Sequence, residues 1–391
     1  MIFTRLKLGV RTGLIVGAAA LTVGPLMVGG SIAASATPKS ASSVTIGVSE
    51  MLTGASEYYG QAALKGVQLA TQYLNAHGGI LGHHVVLSVA DDASLSDQAV
   101  DIVRGYAQNS SIPLAIAPTY QPNFEAACSV ASSTGLPIIG AQSAPLTKSQ
   151  NPKGQCFVDT SDLNTQIAAA LKTLKTDFKV KSIALLYDST NAYVSEFDGV
   201  IANLVKKAGL KLTNNLAVTT GLTSYGSQIT SLLQSKPDVI VPNMVTADAA
   251  RFMQQARAES VKGMFADLIS ELTNSDIYSL SSGAAKGLFA ATPQSVGVPS
   301  FAAFIKLYTA RYGAPQDPTY SGFGYDAMML AASAMEKAGT VTNRKAITAA
   351  LSKLSGFSGS ITYKNMGSGA FLTTTVYYVT LTKSGYKPAK L

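Results

Sequence analysis

The sequence predicts an α/β protein made of two successive units, on three observations. At 391 residues the chain exceeds the size at which a single hydrophobic core usually stops growing. Apolar residues make up 47% of it and charged residues only 13%, enough apolar material for two cores and too little charge for a solvated, disordered chain. From Val44 onward, β-branched apolar runs alternate with helical patterns, as in parallel α/β architecture.

The first strand is expected at 44–48, followed by a helix over 60–76 in which Ala63, Val67, Ala70 and Leu74 share one face. Gly78 and Gly79 end it. A second strand at 85–90 leads into Asp91 and Asp92, a pair suited to opening the next turn and helix, at 94–108. Strands at 112–117 and 136–139 flank a helix at 123–133. The rhythm then restarts: helix 163–174, strand 182–187, helix 194–208, strand 210–218, helix 225–234, strand 238–241, helix 247–258 and strand 264–266. Helices at 300–311, 320–337 and 344–354 precede terminal strands near 361 and at 375–381. No period of about 20 to 50 residues repeats, which disfavours a solenoid.

The N-terminus has the order of a secretory signal. Arg5, Lys7 and Arg11 precede an uncharged apolar stretch at 13–30, and small residues end in Ala34-Ser35-Ala36. Cleavage is expected after Ala36, making 1–36 a signal peptide; an uncleaved anchor is the alternative, disfavoured by the glycines and Pro25 in the stretch. Neither cysteine lies near the cleavage region, so a lipid-modified N-terminal Cys is not expected. Cys128 and Cys156 fall where export would let a disulfide persist, and a bridge is expected, with two buried free thiols as the alternative. Such a bridge would close a loop of about 29 residues and remove roughly 3–4 kcal/mol of unfolded-chain entropy.

The net charge is +8, and removing the three basic residues of the N-terminal segment leaves about +5, scattered without a basic run. No nucleic-acid footprint results. Catalytic motifs are missing where this architecture needs them. The turn after the first strand reads SEMLTGASEYYG, without the glycine spacing a dinucleotide requires, and no P-loop or nucleophile elbow occurs. Gly322 and Gly324 form a G-x-G inside a helical pattern. The three histidines, His77, His83 and His84, cluster in one helix-to-strand turn and read as solvent-facing rather than as metal ligands. No cofactor or metal is implied.

The run IGVSEMLTGASEYYGQAALKGVQLATQYLNAHGGILGHHVVLSVADDAS resembles the opening of the leucine/isoleucine/valine-type solute-binding proteins of ABC importers, the type I periplasmic binding proteins. GLPIIGAQSAPLT, KSIALLYDSTNAY, KPDVIVPNMVTADAARFMQQAR, YTARYGAPQDPTYSGFGYDAMMLAASAMEKAG and FSGSITY resemble further family segments in the same order. The resemblance implies two doubly wound parallel-sheet lobes joined by three hinge crossovers. It puts lobe one at 44–160 plus 293–358 and lobe two at 161–292 plus 359–391. It also implies an exported monomer that closes on a small polar ligand, an amino acid or a related carboxylate or amide, and delivers it to a membrane permease. A sensory binding protein of the same fold and an exported α/β enzyme are the alternatives.

The resemblance assigns Ala141, Gln142 and Ser143, in the loop after Ile139, to the ligand carboxylate, helped by Thr119, Tyr120 and Gln121. Tyr59 matches the aromatic lid of lobe one and Tyr193 that of lobe two. An acidic residue after the strand ending near Ala266 pairs with the ligand ammonium in amino-acid binders, and Asp267 is the expected counterpart, with Leu268 the alternative occupant of that position. The loop PNMVT after Val241 departs from close amino-acid binders, leaving an amide, an aromatic acid or another small metabolite as other ligands.

Overall fold

The structure is a computed structural model that describes residues 42–390, apart from 55, 275, 296 and 368 and the side chains of 192, 193 and 196. The expected signal segment lies outside the described residues. The chain opens with β1 (Ser43–Glu50), α1 (Glu57–Ala76), β2 (His84–Asp91), α2 (Ser96–Gln108), β3 (Ala115–Ala117), α3 (Gln121–Thr134), β4 (Ile138–Ala141) and β5 (Cys156–Ser161). The alternation restarts with α4 (Leu163–Thr176), β6 (Ser182–Asp188), α5 (Ala192–Lys207), β7 (Lys211–Val218), α6 (Gly226–Ser235) and β8 (Val239–Asn243). It continues through α7 (Thr246–Ala258), β9 (Met264–Asp267), a short α8 (Ile277–Leu280) and β10 (Phe289–Thr292). After α9 (Pro299–Tyr312), α10 (Pro318–Ala338) and α11 (Arg344–Lys353) come β11 (Gly356–Ser358), β12 (Thr362–Asn365), β13 (Ala370–Thr373), β14 (Tyr377–Thr382) and β15 (Gly385–Pro388).

Hydrogen bonding sorts the strands into two sheets, ordered β11-β12-β13-β5-β4-β3-β1-β2 in lobe one and β15-β14-β10-β9-β8-β6-β7 in lobe two. Strands β1–β5 and β6–β10 repeat one pattern, each reading 2-1-3-4-5 and each parallel. Helices cover both faces of each sheet, because strands buried on both sides need apolar cover on both. In lobe one, α1, α9, α10 and α11 supply Val67, Phe304, Met328 and Ile347 to one core, and α2 and α3 supply Val103 and Phe124 to the other. In lobe two, α6 and α7 supply Ile229 and Phe252 to one face, and α4 and α5 supply Leu171 and Ile201 to the other. The two doubly wound lobes expected from the sequence are therefore present.

One detail agrees with expectation, the helical placement of Gly322 and Gly324, and one differs. The G-x-G in α10 serves packing: a Cβ on Gly324 would stand 2.1 Å from the Ala63 carbonyl oxygen, so its absence lets α10 and α1 touch backbone to backbone. The third crossover falls at 374–376 rather than near 359, because β11, β12 and β13 extend the lobe-one sheet. Strand β13 runs parallel to β5, with Ala370 opposite Val158, and Gly369 (φ +84°) permits the approach, since a Cβ there would meet the Cys156 carbonyl oxygen at 2.2 Å. The other crossovers run from β5 into α4 and from β10 into α9.

Cys128 of α3 and Cys156 of β5 form a disulfide, with Cα atoms 5.8 Å apart, buried in lobe one. His77 and His83 sit in the α1–β2 turn and His84 opens β2, all three exposed or half-buried.

Candidate functional site

A 2-1-3 strand order makes neighbouring loops diverge where the order reverses, opening a crevice at the carboxyl ends of the first and third strands. Lobe one places Glu50 and Met51 there, beside the Pro118–Gln121 turn into α3. Lobe two places Asp188 and Asn191 beside Val245, the N-cap of α7, and Thr246, its first residue. Between them lies a narrow cleft, lined from lobe one by Met51, Ser56, Tyr59, Thr119, Tyr120, Gln121, Gln142 and Tyr320. Lobe two contributes Asn191, Val245 and Glu271.

Tyr59, in the first turn of α1, is half-buried and sends its phenol across to lobe two, toward Glu271 and Thr246. Its ring packs on Tyr320 with centroids 4.7 Å apart. The Tyr320 hydroxyl also donates to Glu271 Oε2, at 3.3 Å. Tyr320 is aimed by the Asp317 cap, whose carboxylate accepts the Tyr320 N–H at 2.9 Å. Burial raises the Glu271 carboxyl to about 7, against the lowering effect of the Tyr59 phenol.

Asp267 is also buried, but its carboxylate faces away from the cleft. Oδ1 accepts the N–H groups of Ile269 (3.1 Å) and Glu271 (3.3 Å), and Oδ2 accepts that of Leu272 (2.9 Å). The side chain folds the turn that presents Glu271, and the cleft-facing acid is thus four residues beyond the one the sequence suggested. Burial raises Asp267 to about 6, with those backbone donors pulling the other way. Gln166 of α4 fixes the same turn, its Nε2 lying 3.0 Å from the Leu268 and Ala291 carbonyl oxygens and from Ser270 Oγ.

The expected carboxylate-binding loops reach the cleft, with their donors turned inward. Thr119 gives its N–H (3.2 Å) and hydroxyl (2.9 Å) to the fully buried Glu50 carboxyl. Gln142, held at φ 56°, donates its N–H to the Asp159 carbonyl at 2.9 Å. Ser143 braces the Pro118 and Thr119 carbonyls at 3.2 and 3.3 Å. Gln121 donates to Glu125 (2.9 Å) and accepts the Ala144 N–H (2.7 Å). Tyr120 is half-buried on the cleft wall, and Ala141 is fully buried at the end of β4. The Tyr193 side chain lies outside the described residues.

Sequence reasoning missed Glu50, Asn191, Val245, Glu271 and Tyr320. A signal for Glu271 exists in DLISEL: an Asp opening a turn tends to bond amides two residues on, which leaves the Glu as the outward carboxylate.

A second cavity, open to solvent, lies by the second crossover among Thr292, Gln294, Phe301, Ile305, Pro318 and Val379. Thr273 and Thr319 hydrogen-bond across the lobes at 2.7 Å in its wall. Its walls are mainly apolar and carry no buried acid, so the first cleft, with convergent polar groups at the strand ends, is the candidate site. Among the described residues, no three His, Cys, Asp or Glu side chains gather to hold a metal ion.

Comparison with known proteins agrees with this geometry. A periplasmic binding protein family model matches residues 43–385. The Leu/Ile/Val-binding protein BraC3 of Rhizobium johnstonii is 25% identical, over 84% of this chain and 90% of its own. A leucine-, isoleucine-, valine-, threonine- and alanine-binding protein of Pseudomonas aeruginosa is 24% identical, over 78% of this chain and 81% of its own. The fold matches that of the branched-chain amino acid transporter substrate-binding protein LivJ of Streptococcus pneumoniae, solved with isoleucine, with a TM-score of 0.77 and 21% identity, covering 88% of this chain and 98% of that one. With two doubly wound lobes facing a polar cleft at their strand ends and a family match across nearly all the described residues, the chain belongs to the periplasmic binding protein family.

Proposed function

We propose that this chain is the exported solute-binding component of an ABC importer, a monomer that captures a small amine-bearing molecule in the interlobe cleft and hands it to a membrane permease. Glu271 carries the reading. It is the acidic side chain on the cleft wall; the Tyr320 phenol donates to it and the Tyr59 phenol stands beside it, in the manner of groups that orient a carboxylate toward a cation. The relatives' names, which specify branched-chain and small amino acids, support a ligand of that size.

Capture would work by differential contact. Tyr59 and Gln142 stand on one lobe, Glu271 and Asn191 on the other, so a ligand touching both stabilises the closed arrangement relative to an open one. Asp267 holds the turn that presents Glu271 rather than meeting the ligand. Tyr59 and Tyr320 form the aromatic wall, and Tyr193, in the first turn of α5, is retained as a lid of lobe two. Cleavage after Ala36 would release the chain; among the described residues no helix is long and apolar enough to cross a membrane.

Calorimetric titration of the purified protein with amino acids, their amides and small carboxylates tests this. One amine-bearing class should bind with one-to-one stoichiometry. Glu271→Gln should weaken that binding about 10- to 100-fold, the range expected for a charge-assisted hydrogen bond, with an unchanged circular-dichroism spectrum. Affinity indifferent to Glu271 would defeat the proposal.

A further inference from the structure

The lobe-two sheet is parallel from β6 to β10, so the starts of its strands and the ends of α4 to α7 gather at one pole, opposite the cleft. Lysines concentrate there. Lys175 lies in the last turn of α4, and Lys206 and Lys207 in that of α5. Lys179, Lys181, Lys211, Lys236 and Lys262 stand in the turns and strand starts that follow α4 to α7. Lys286, before β10, and Lys383, in the β14–β15 turn, join them. All of these lysines are exposed. The acids in the same turns are Asp177, Asp238 and Glu259, so ten lysines against three acids give the pole a net +7, more than the about +5 of the whole chain beyond Ala36.

The needs of the fold do not account for these charges. The ion pairs among the described residues, Arg104–Asp101 and Arg251–Asp248, involve none of them, and Asp238 is taken up by the Lys181 and Ser182 amides. A cation at a helix C-terminus complements the helix dipole. Yet α1, α2 and α3 of lobe one have no basic residue in their last turns, and the turns after them, 77–83, 109–114 and 135–137, contain no Lys or Arg. Two of the lysines occupy left-handed positions, Lys179 at φ 58° and Lys236 at φ 47°. Glycine is the unstrained choice there, and lobe one uses it after α3, at Gly135 (φ 77°).

We propose that this pole of lobe two rests on an anionic lipid surface, holding the exported protein beside the membrane with the cleft turned away from it. Seven strands about 4.8 Å apart spread the lysines over about 30 Å. That is too wide for one phosphate and several times the screening length of about 8 Å at physiological salt, so the complementary partner is an extended surface. Lysine is a compact, hydrated point charge suited to diffuse attraction, whereas recognition of individual phosphates favours the arginine fork. The pole's Arg257 is turned inward, 4.1 Å over the Phe265 ring. Among the described residues the exposed large apolar side chains of lobe two are Leu233 and Leu280, with no ring to stack on a base, which favours lipid over nucleic acid. The contact goes beyond ligand capture and involves no cleft residue, so it stands or falls apart from the identity of the ligand.

Vesicle flotation of the chain from Thr37 onward, the form expected after cleavage, tests it. The protein should float with phosphatidylcholine vesicles containing about 30% phosphatidylglycerol at about 0.1 M salt, and neither with pure phosphatidylcholine vesicles nor with the anionic ones at about 0.5 M salt. Each lysine at an anionic surface is worth about fivefold in partitioning, so the quadruple variant Lys179→Gly, Lys207→Gln, Lys236→Gly, Lys262→Gln should lower partitioning at least about tenfold. Its melting temperature should not fall, because two of the changes relieve left-handed lysines. The same charge removed from lobe one, by Lys148→Gln, Lys153→Gln, Lys345→Gln and Lys353→Gln, should lower partitioning less than about twofold. Equal losses in the two quadruple variants would show that net charge rather than this pole drives binding, and failure of the unaltered protein to bind the anionic vesicles overturns the inference outright. A double-stranded DNA oligonucleotide that strips the protein from the vesicles at equal phosphate concentration overturns it in favour of a nucleic-acid partner.

Discussion

Lobes one and two repeat the same five-strand order, and each ends its first strand in an acid at the crevice: Glu50 on β1 and Asp188 on β6. The two acids have opposite surroundings. Glu50 is sealed in, and burial holds its carboxyl well above the usual range despite the Thr119 donors. At Asp188 burial also opposes ionisation, but the donors outweigh it: the Thr190 hydroxyl (2.6 Å), the Thr220 hydroxyl and the Thr190 N–H (2.9 Å) hold the carboxyl below its ordinary value. One topology has thus been finished as a closed wall in lobe one and as a loop organised around an anion in lobe two. Lobe two also carries Glu271, the acid presented to the cleft. The division suggests that lobe one supplies shape and lobe two supplies charge.

Covalent reinforcement follows the same division, since the disulfide ties α3 to β5 within lobe one. The largest expected effect is therefore on lobe one alone. Replacing Cys128 and Cys156 together by Ala should lower the stability of that lobe by about 3–4 kcal/mol on the loop-closure model. Hydrogen exchange would read this out as faster opening of α3 and β4 with little change in α5 and β6. Equal acceleration in both lobes would mean that they unfold as one unit, and the comparison would lose its energetic basis.

A smaller effect should separate the two strand-end acids. Asp188→Asn removes the charge from a site with several donors and should cost about 2 kcal/mol. Glu50→Gln replaces a carboxyl that burial already drives toward its neutral form with a neutral group of the same shape, and should change stability by less than about 1 kcal/mol. Urea unfolding of both variants decides the matter. A loss at Glu50 matching that at Asp188 would show that lobe one relies on an ionised acid after all.

Much of this architecture is legible in the chain. The face formed by Ala63, Val67, Ala70 and Leu74 announces α1 because burial on one side imposes a helical period, and Gly78 and Gly79 mark its end. The third crossover is not legible. Strand β13 has four residues and owes its place to β5, more than two hundred residues earlier in the chain, so no local pattern encodes the pairing. The site divides in the same way. The loops carrying Thr119 and Gln142 could be placed from their order along the chain, because strand ends build the crevice. The partner of each donor could not, because Glu50 and Thr119 meet only once β1 and β3 lie side by side. Asp267 and Glu271 are four residues apart in one turn, and only the direction of three backbone amides decides which carboxylate faces the cleft.

If charge in the cleft belongs to lobe two, ligand affinity should follow the titration of Glu271. Burial raises that carboxyl to about 7, so near neutrality a fraction of the empty protein carries a proton there. A bound ammonium favours the ionised form and must lower this value. Below pH 7, binding then releases a proton, and affinity should fall as the pH falls, by up to about tenfold, or about 1.4 kcal/mol, per pH unit. Above pH 7 the acid is already ionised and affinity should level off until the ligand amine loses its own proton. Titrations at pH 5.5, 6.5 and 7.5, repeated in two buffers of different ionisation enthalpy to count the released proton, would read this directly. Glu271→Gln should flatten the profile, whereas Glu50→Gln should leave its slope in place because Glu50 has no face on the cleft. A slope that vanishes with Glu50→Gln would move the charge to lobe one and reverse the assignment.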